Sequence, residues 1–325
     1  MSASTYAAHA AGPARRANWL ARTDRLFHLL TLASAIAVLI LLAGVIVALF
    51  DGALPAFRAF GFGFIFAEAW NPVTEKFGAL APIYGTIITS IIAMLIAVPV
   101  SIGVAIFLTE FCPIRLRRPI GVAIELLAGI PSIVYGIWGL FALAPFLQKH
   151  FQPAVIDAFD GIPLLENLFA GPPYGIGMAT AGLILSIMIL PFIASISRDV
   201  FETVPTVLKE AAYGIGCTTW EVVRNIVIPY TRIGVFGGVM LGLGRALGET
   251  MAVTFVIGNA HRISASLFAP GTTISATIAN EFTEAVGDLY YSSLIALGLL
   301  LFVITFIVLA GARLMLMRLG GRPAV

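Results

Sequence analysis

Six stretches of this chain carry almost no charge: residues 29–50, 77–109, 126–148, 167–197, 233–259 and 289–312. Each exceeds the ~20 residues that a helix needs to cross ~30 Å of hydrocarbon. Only Arg245 and Glu249 interrupt any of them. A backbone in lipid must satisfy its own N–H and C=O groups, so runs of this length are helices. With 59% hydrophobic and 11% charged residues, the composition excludes a soluble domain of this size.

The basic residues orient these helices. Six crossings put Arg15, Arg16, Arg22, Arg25, Arg115, Arg117, Arg118, Arg198, Lys209, Arg224, Arg232, Arg313, Arg318 and Arg322 on one side. Arg58, Lys76, Lys149 and Arg262 fall on the other, a ratio of fourteen to four. Loops rich in Lys and Arg stay in the cytoplasm, so both termini are expected inside. The net charge of +2 reflects this topology and calls for no nucleic-acid partner. The first apolar run is too long for a signal-peptide core and reads as a retained anchor. Cys112 and Cys217 both fall on the cytoplasmic side, where neither a disulfide nor a metal site is expected. His9, His28, His150 and His261 lack ligand spacing and are assigned no role. No catalytic or metal-binding residue is expected.

The pattern predicts a cytoplasmic tail over 1–25, one transmembrane domain over 26–318, and a short tail over 319–325. An external segment over 51–76 contains Trp70-Asn71-Pro72, and Pro99 is expected to kink the second helix. A basic loop, 113–119, returns the chain to helix three. A second external segment covers 146–173. Helix four is expected over 175–198, a cytoplasmic segment over 199–228, and helix five over 229–258. A third external segment, 259–286, is unusual: residues 263–280 hold no charge but carry Ser264, Ser266, Thr272, Thr273, Ser275 and Thr277. It reads either as an ordered external cap or as a segment partly in the membrane, buried against protein around a cavity.

Three polar constellations carry mechanism. In the first, Pro205 suits a helix start, and Gly214 and Gly216 suit its end. Thr218-x-x-Glu221 has the form of a capping box opening a second helix, which Pro229 should break before the membrane. The result is a cytoplasmic helical hairpin with small residues, Ala211, Ala212 and Gly216, where another protein could approach. In the second, Arg245 and Glu249 lie four residues apart, on one face of a continuous helix, with Thr250 next. A charge in hydrocarbon costs at least ~2.5 kcal/mol, so both should face protein or water. They form either a structural ion pair or a contact for a passing anion. The third is Glu125-Leu126-Leu127-Ala128-Gly129-Ile130-Pro131-Ser132-Ile133-Val134-Tyr135-Gly136, which makes helix three irregular, by packing kink or beside a cavity.

Glu210-Ala211-Ala212, Gly216 and Ile226-x-Ile228-Pro229 have the spacing of the EAA loop of ABC-importer permeases, with Ile228 where that consensus has Leu. Together with G-R-A-L-G-E-T-M-A-V, E-L-L-A-G-I-P-S-I-V-Y-G, W-N-P and L-F-A-P-G-T-T-I-S-A-T-I-A-N-E-F, the chain from about 25 to 318 resembles the C-type permease subunits of phosphate ABC importers. That resemblance implies an all-α membrane protein of the type I importer fold, with six transmembrane helices. It also implies a heterodimer with an A-type permease, two copies of a cytoplasmic ATPase, and an external phosphate-binding protein. Coupling to the ATPase falls to Glu210, Ala211, Ala212 and Gly216, and the substrate path to Arg245, Glu249 and Thr250. No G-x-x-x-x-G-K-[ST] occurs in the chain, so ATP is bound by the partner and no cofactor is expected here. Permeases for molybdate or sulfate, and ion-coupled secondary transporters, are the alternatives. The EAA spacing argues against the last.

Overall fold

The computed structural model describes residues 4–320, with side chains for 23–162 and 165–317. Helix α1 runs Ser4–Phe60. It starts well before residue 26, where the apolar pattern places the domain boundary. The C-terminal tail expected over 319–325 begins inside a helix that runs to Gly320, and residues 321–325 lie outside the described residues. Contacts divide the chain after Gly52, and the helices that build the site all lie in the unit from Ala53.

Four further helices are long and apolar enough to cross a membrane: α2 (Leu80–Phe111), α5 (Met178–Glu202), α7 (Thr219–Gly248) and α10, whose spanning part is Asp288–Met317. The remaining crossing is a bent pair, α3 (Ile114–Ala128) and α4 (Ser132–Phe159), turned 85° from each other. Two expectations change here. The basic loop at 113–119 is the first part of α3, and the external segment expected from 146 is helical to Phe159. Only the turn at Gly129-Ile130-Pro131 interrupts these helices, because Pro131 cannot continue the α-helical hydrogen bonding of α3. At ~1.5 Å per residue, α4 by itself is long enough to span the bilayer.

The core lies between α2 and α5. Ala93 and Ala97 meet Ala181, Ile184, Leu185, Met188 and Ile189, all buried. Small residues let the helix backbones approach closely. Gly182 lies against Ile92 of α2, and Gly234, Gly238 and Gly242 of α7 lie against Val200, Ile196 and Ile193 of α5. Ser101 of α2 donates across to the carbonyl of Leu190 (2.9 Å). Where Pro229 was expected to break the chain, α7 is continuous. Its first turns widen to a π-helix over Val223–Val227, and Thr231 donates to the carbonyl of Val227 (2.6 Å).

The third external segment is not a solvated loop. Its helix α9 (Ile274–Glu281) is packed among α2, α10 and the short helix α8 (Met251–Thr254), with residues 271–277 buried. The Ile274 N–H donates to Thr86 of α2 (3.0 Å), and a Cβ at Gly85 would collide with the carbonyl of Thr272. Backbone this irregular is buried here against protein, and the hydroxyls noted in the sequence serve that burial. Thr272 and Thr277 bond each other (2.9 Å), and Thr273 caps α9 by accepting from Ala276 (3.2 Å).

Candidate functional site

The cytoplasmic hairpin forms as its residues dictate. Helix α6 (Thr206–Gly214) follows Pro205, and the chain reverses at Gly216, whose φ of +90° an L side chain rarely adopts. The capping box then opens α7: Thr218 Oγ1 accepts from the Glu221 N–H (3.4 Å), and Glu221 accepts from the Thr218 N–H (2.7 Å). Ala212 is buried with Ala105, Phe201, Val204, Val222 and Val227, which fixes the hairpin to α2 and α5. Lys209 adds an ion pair to Glu110 at the end of α2 (2.6 Å), whose side chain is only 5% exposed. The opposite face is open. Glu210, Ala211 and Gly216 are exposed there, beside Ile215 at 84% and Trp220 at 59%. Of the four residues carrying the EAA spacing, Ala212 faces inward and the other three face out.

The second constellation is not the continuous helix its sequence implies. Helix α7 ends at Gly248, and Glu249 is extended (φ −68°, ψ 133°). Thr250 then leads into α8, whose start is capped by Glu249 accepting from the Ala252 N–H (3.3 Å). Arg245 and Glu249 therefore share no helix face. Among the described residues no ion pair joins them. Arg245 is exposed on the surface of the chain, and its guanidinium carbon lies 5.9 Å from the centre of the Phe192 ring. The third constellation closes on the same break. Gly136 of α4 sits so near Met251 and Ala252 that a Cβ would reach the Met251 carbonyl at 3.1 Å. Tyr135, next to it, lies within electrostatic reach of Arg245. Two motifs more than a hundred residues apart thus meet at one interrupted span.

A third cluster was missed from sequence. On the external side, the Glu281 carboxylate accepts from Trp70 Nε1 (2.6 Å) and Tyr290 (2.6 Å) and pairs with His261 Nε2 (2.7 Å). Trp70 stacks on His261 with ring centres 5.2 Å apart. Burial is the largest single influence on the Glu281 carboxyl and pushes its pKa up. The three donors together outweigh burial and hold it below the ordinary carboxylate range. Asn71 turns the chain so that Trp70 can reach inward, accepting from the N–H groups of Val73 (2.9 Å) and Thr74 (3.3 Å). The quoted W-N-P and N-E-F motifs are therefore two halves of one contact. His261 lacks metal-ligand spacing, and nothing in its own neighbourhood marked it.

Residues 80–320 match the family described as the binding-protein-dependent transport system inner membrane component. The chain belongs to this family. Among curated relatives, the phosphate transport system permease protein PstC of Mesorhizobium japonicum is 74% identical over 93% of this chain and 92% of its own length. The protein of the same name from Pasteurella multocida is 58% identical over 91% and 92%. Among solved structures, a bacterial ABC transporter that imports the acidic polysaccharide alginate aligns with a TM-score of 0.63. That alignment covers 93% of this chain and 99% of the other at 17% identity, which speaks to fold alone. The helices around the α7–α8 break are thus those of a type I importer permease, a multi-pass protein of the inner membrane that is a transporter subunit and no enzyme.

Proposed function

We propose that this chain is one of the two channel-forming subunits of an ATP-driven importer of inorganic phosphate. The observation that carries this reading is Arg245. Its charge sits a turn before a break in a spanning helix, is exposed on the chain's surface, and has no carboxylate partner among the described residues. An uncompensated cation facing lipid costs at least ~2.5 kcal/mol, so this face meets a second subunit across a water-filled path. The species that passes Arg245 is then an anion. A planar guanidinium can bond two phosphate oxygens at once and, in water, let them go. A relative 74% identical is named a phosphate transport system permease protein, which supports phosphate as that anion.

The other parts follow from the same assembly. An A-type permease completes the channel, two ATPase copies dock on the open face of α6 around Glu210, Ala211 and Gly216, and a binding protein delivers phosphate outside. ATP binding closes the ATPases. The hairpin passes that motion to α2 and α5 through Ala212 and the Lys209–Glu110 pair, turning the channel outward. Hydrolysis and product release reset it. The complex, reconstituted with its ATPase and binding protein, should take up radiolabelled phosphate only with ATP, and excess molybdate or sulfate should compete poorly. Equal competition by either oxyanion would reassign the substrate, and uptake without ATP would overturn the reading.

A further inference from the structure

Helix α3 carries a feature that channel formation does not use. Turned 85° from α4, it crosses the cytoplasmic end of α5, where Gly121 lies against Arg198 and Glu125 pairs with Arg198 (2.7 Å). Between the two helices lies a cavity of about 470 Å³. Arg117, Arg118 and Arg198 line it, with Glu125 and Glu202. The charges are unevenly engaged. Arg198 is held by Glu125 and by Asp199 (2.7 Å each). Arg117 gives one Nη to the carbonyl of Thr109 (2.6 Å), and its Nε–H is buried without an acceptor. Arg118 is exposed and in no ion pair among the described residues. Ile114 and Val122 add an exposed apolar lip, continued along α3 by Leu126.

We infer that this cavity binds the headgroup of an anionic phospholipid from the cytoplasmic leaflet. Such a headgroup carries one phosphodiester charge, which Arg118, in no ion pair among the described residues, can meet, and its acyl chains cover the apolar lip. Basic pockets beside membrane helices on the cytoplasmic side suit this ligand. Free phosphate shares the oxyanion chemistry but carries more charge near neutral pH and leaves the lip uncovered. The site also touches the coupling machinery. Thr109, held by Arg117, precedes Glu110, held by Lys209 of α6, within one π-turn, Phe107–Phe111.

Native mass spectrometry of the purified, assembled complex tests the site. Phosphatidylglycerol should be retained in preference to phosphatidylcholine. Arg118→Gln should lower that retention about fivefold, Arg118→Lys should restore most of it, and Arg115→Gln, outside the cavity, should change it little. Unselective retention, or retention indifferent to Arg118→Gln, overturns the assignment. Displacement of phosphatidylglycerol by millimolar inorganic phosphate would make this a free-oxyanion site and would also overturn it. If the variants fail to assemble, photoactivatable phosphatidylglycerol on the wild-type complex decides. Adducts within residues 114–125 or 198–202 support the site, and adducts confined elsewhere refute it.

Discussion

At the scale of single residues, the two charges in the fifth crossing do different jobs. Arg245 faces outward from the chain, while Glu249 spends its carboxylate on the start of α8. Arg245→Gln should leave the complex assembled and cut phosphate uptake by roughly 10- to 100-fold, the loss expected for a charge-assisted hydrogen bond. Normal uptake would remove Arg245 from the path, and failure to assemble would make it structural. Glu249→Gln keeps an acceptor for the Ala252 N–H and removes only the charge. With no ion pair to Arg245 to lose, it should preserve the fold and change phosphate uptake far less than Arg245→Gln does, measured in the same uptake assay. Glu281 gives a prediction in pH. Its pKa is depressed in the folded protein, so its stabilising contribution is present above about 4.3 and is lost as pH falls through the lower folded value. Glu281→Gln should therefore lower the unfolding temperature by a few degrees at pH 6. That difference from wild type should shrink below about pH 4. A difference constant from pH 6 to 3 would show that the carboxylate's charge contributes nothing.

At the scale of elements, the cytoplasmic hairpin is built with one fixed face and one open face. The turn between α6 and α7 depends on Gly216 at φ +90°, with open space around its Cα. A side chain there would meet backbone strain and no clash. Gly216→Val should cost about 1–3 kcal/mol locally. Because the strain falls on the exposed docking edge, the protein should still insert while stimulation of the ATPase and uptake are both lost. Unchanged coupling in this variant would move the docking site elsewhere. The capping box of this hairpin was legible because it is a local pattern over four residues. The π-turn after it was not. Pro229 taken by itself signals a break, yet a widened turn carries the helix through it.

At the scale of the whole molecule, charge asymmetry and span count agree on a bundle with both termini inside. Cysteine labelling in intact cells checks this, once Cys112 and Cys217 are replaced. Val73, 92% exposed on the first external segment, is a suitable reporter, and Asp160 serves on the second. Both should react with an impermeant maleimide from outside, and a cysteine at Glu210 should not. External labelling at position 210 would invert the topology and remove the basis for ATPase docking.

The solvent, the number of crossings, the orientation and the hairpin can be read from the amino acids alone, because each depends on composition or on spacing within a single helix. Lipid leaves a long uncharged run no choice but helix, and the placement of Lys and Arg leaves it one direction. How distant segments meet is set by packing in three dimensions. The end of α7 at Gly248 depends on Glu249 finding the start of α8 and on Gly136 packing against Met251. The burial of α9 depends on the fit of Thr272 over Gly85. The Glu281 contact needs Trp70, separated by 211 residues, beside the nearer His261 and Tyr290. Pairings across more than a hundred residues leave no periodic trace, since each partner alone satisfies several local readings and only packing selects among them.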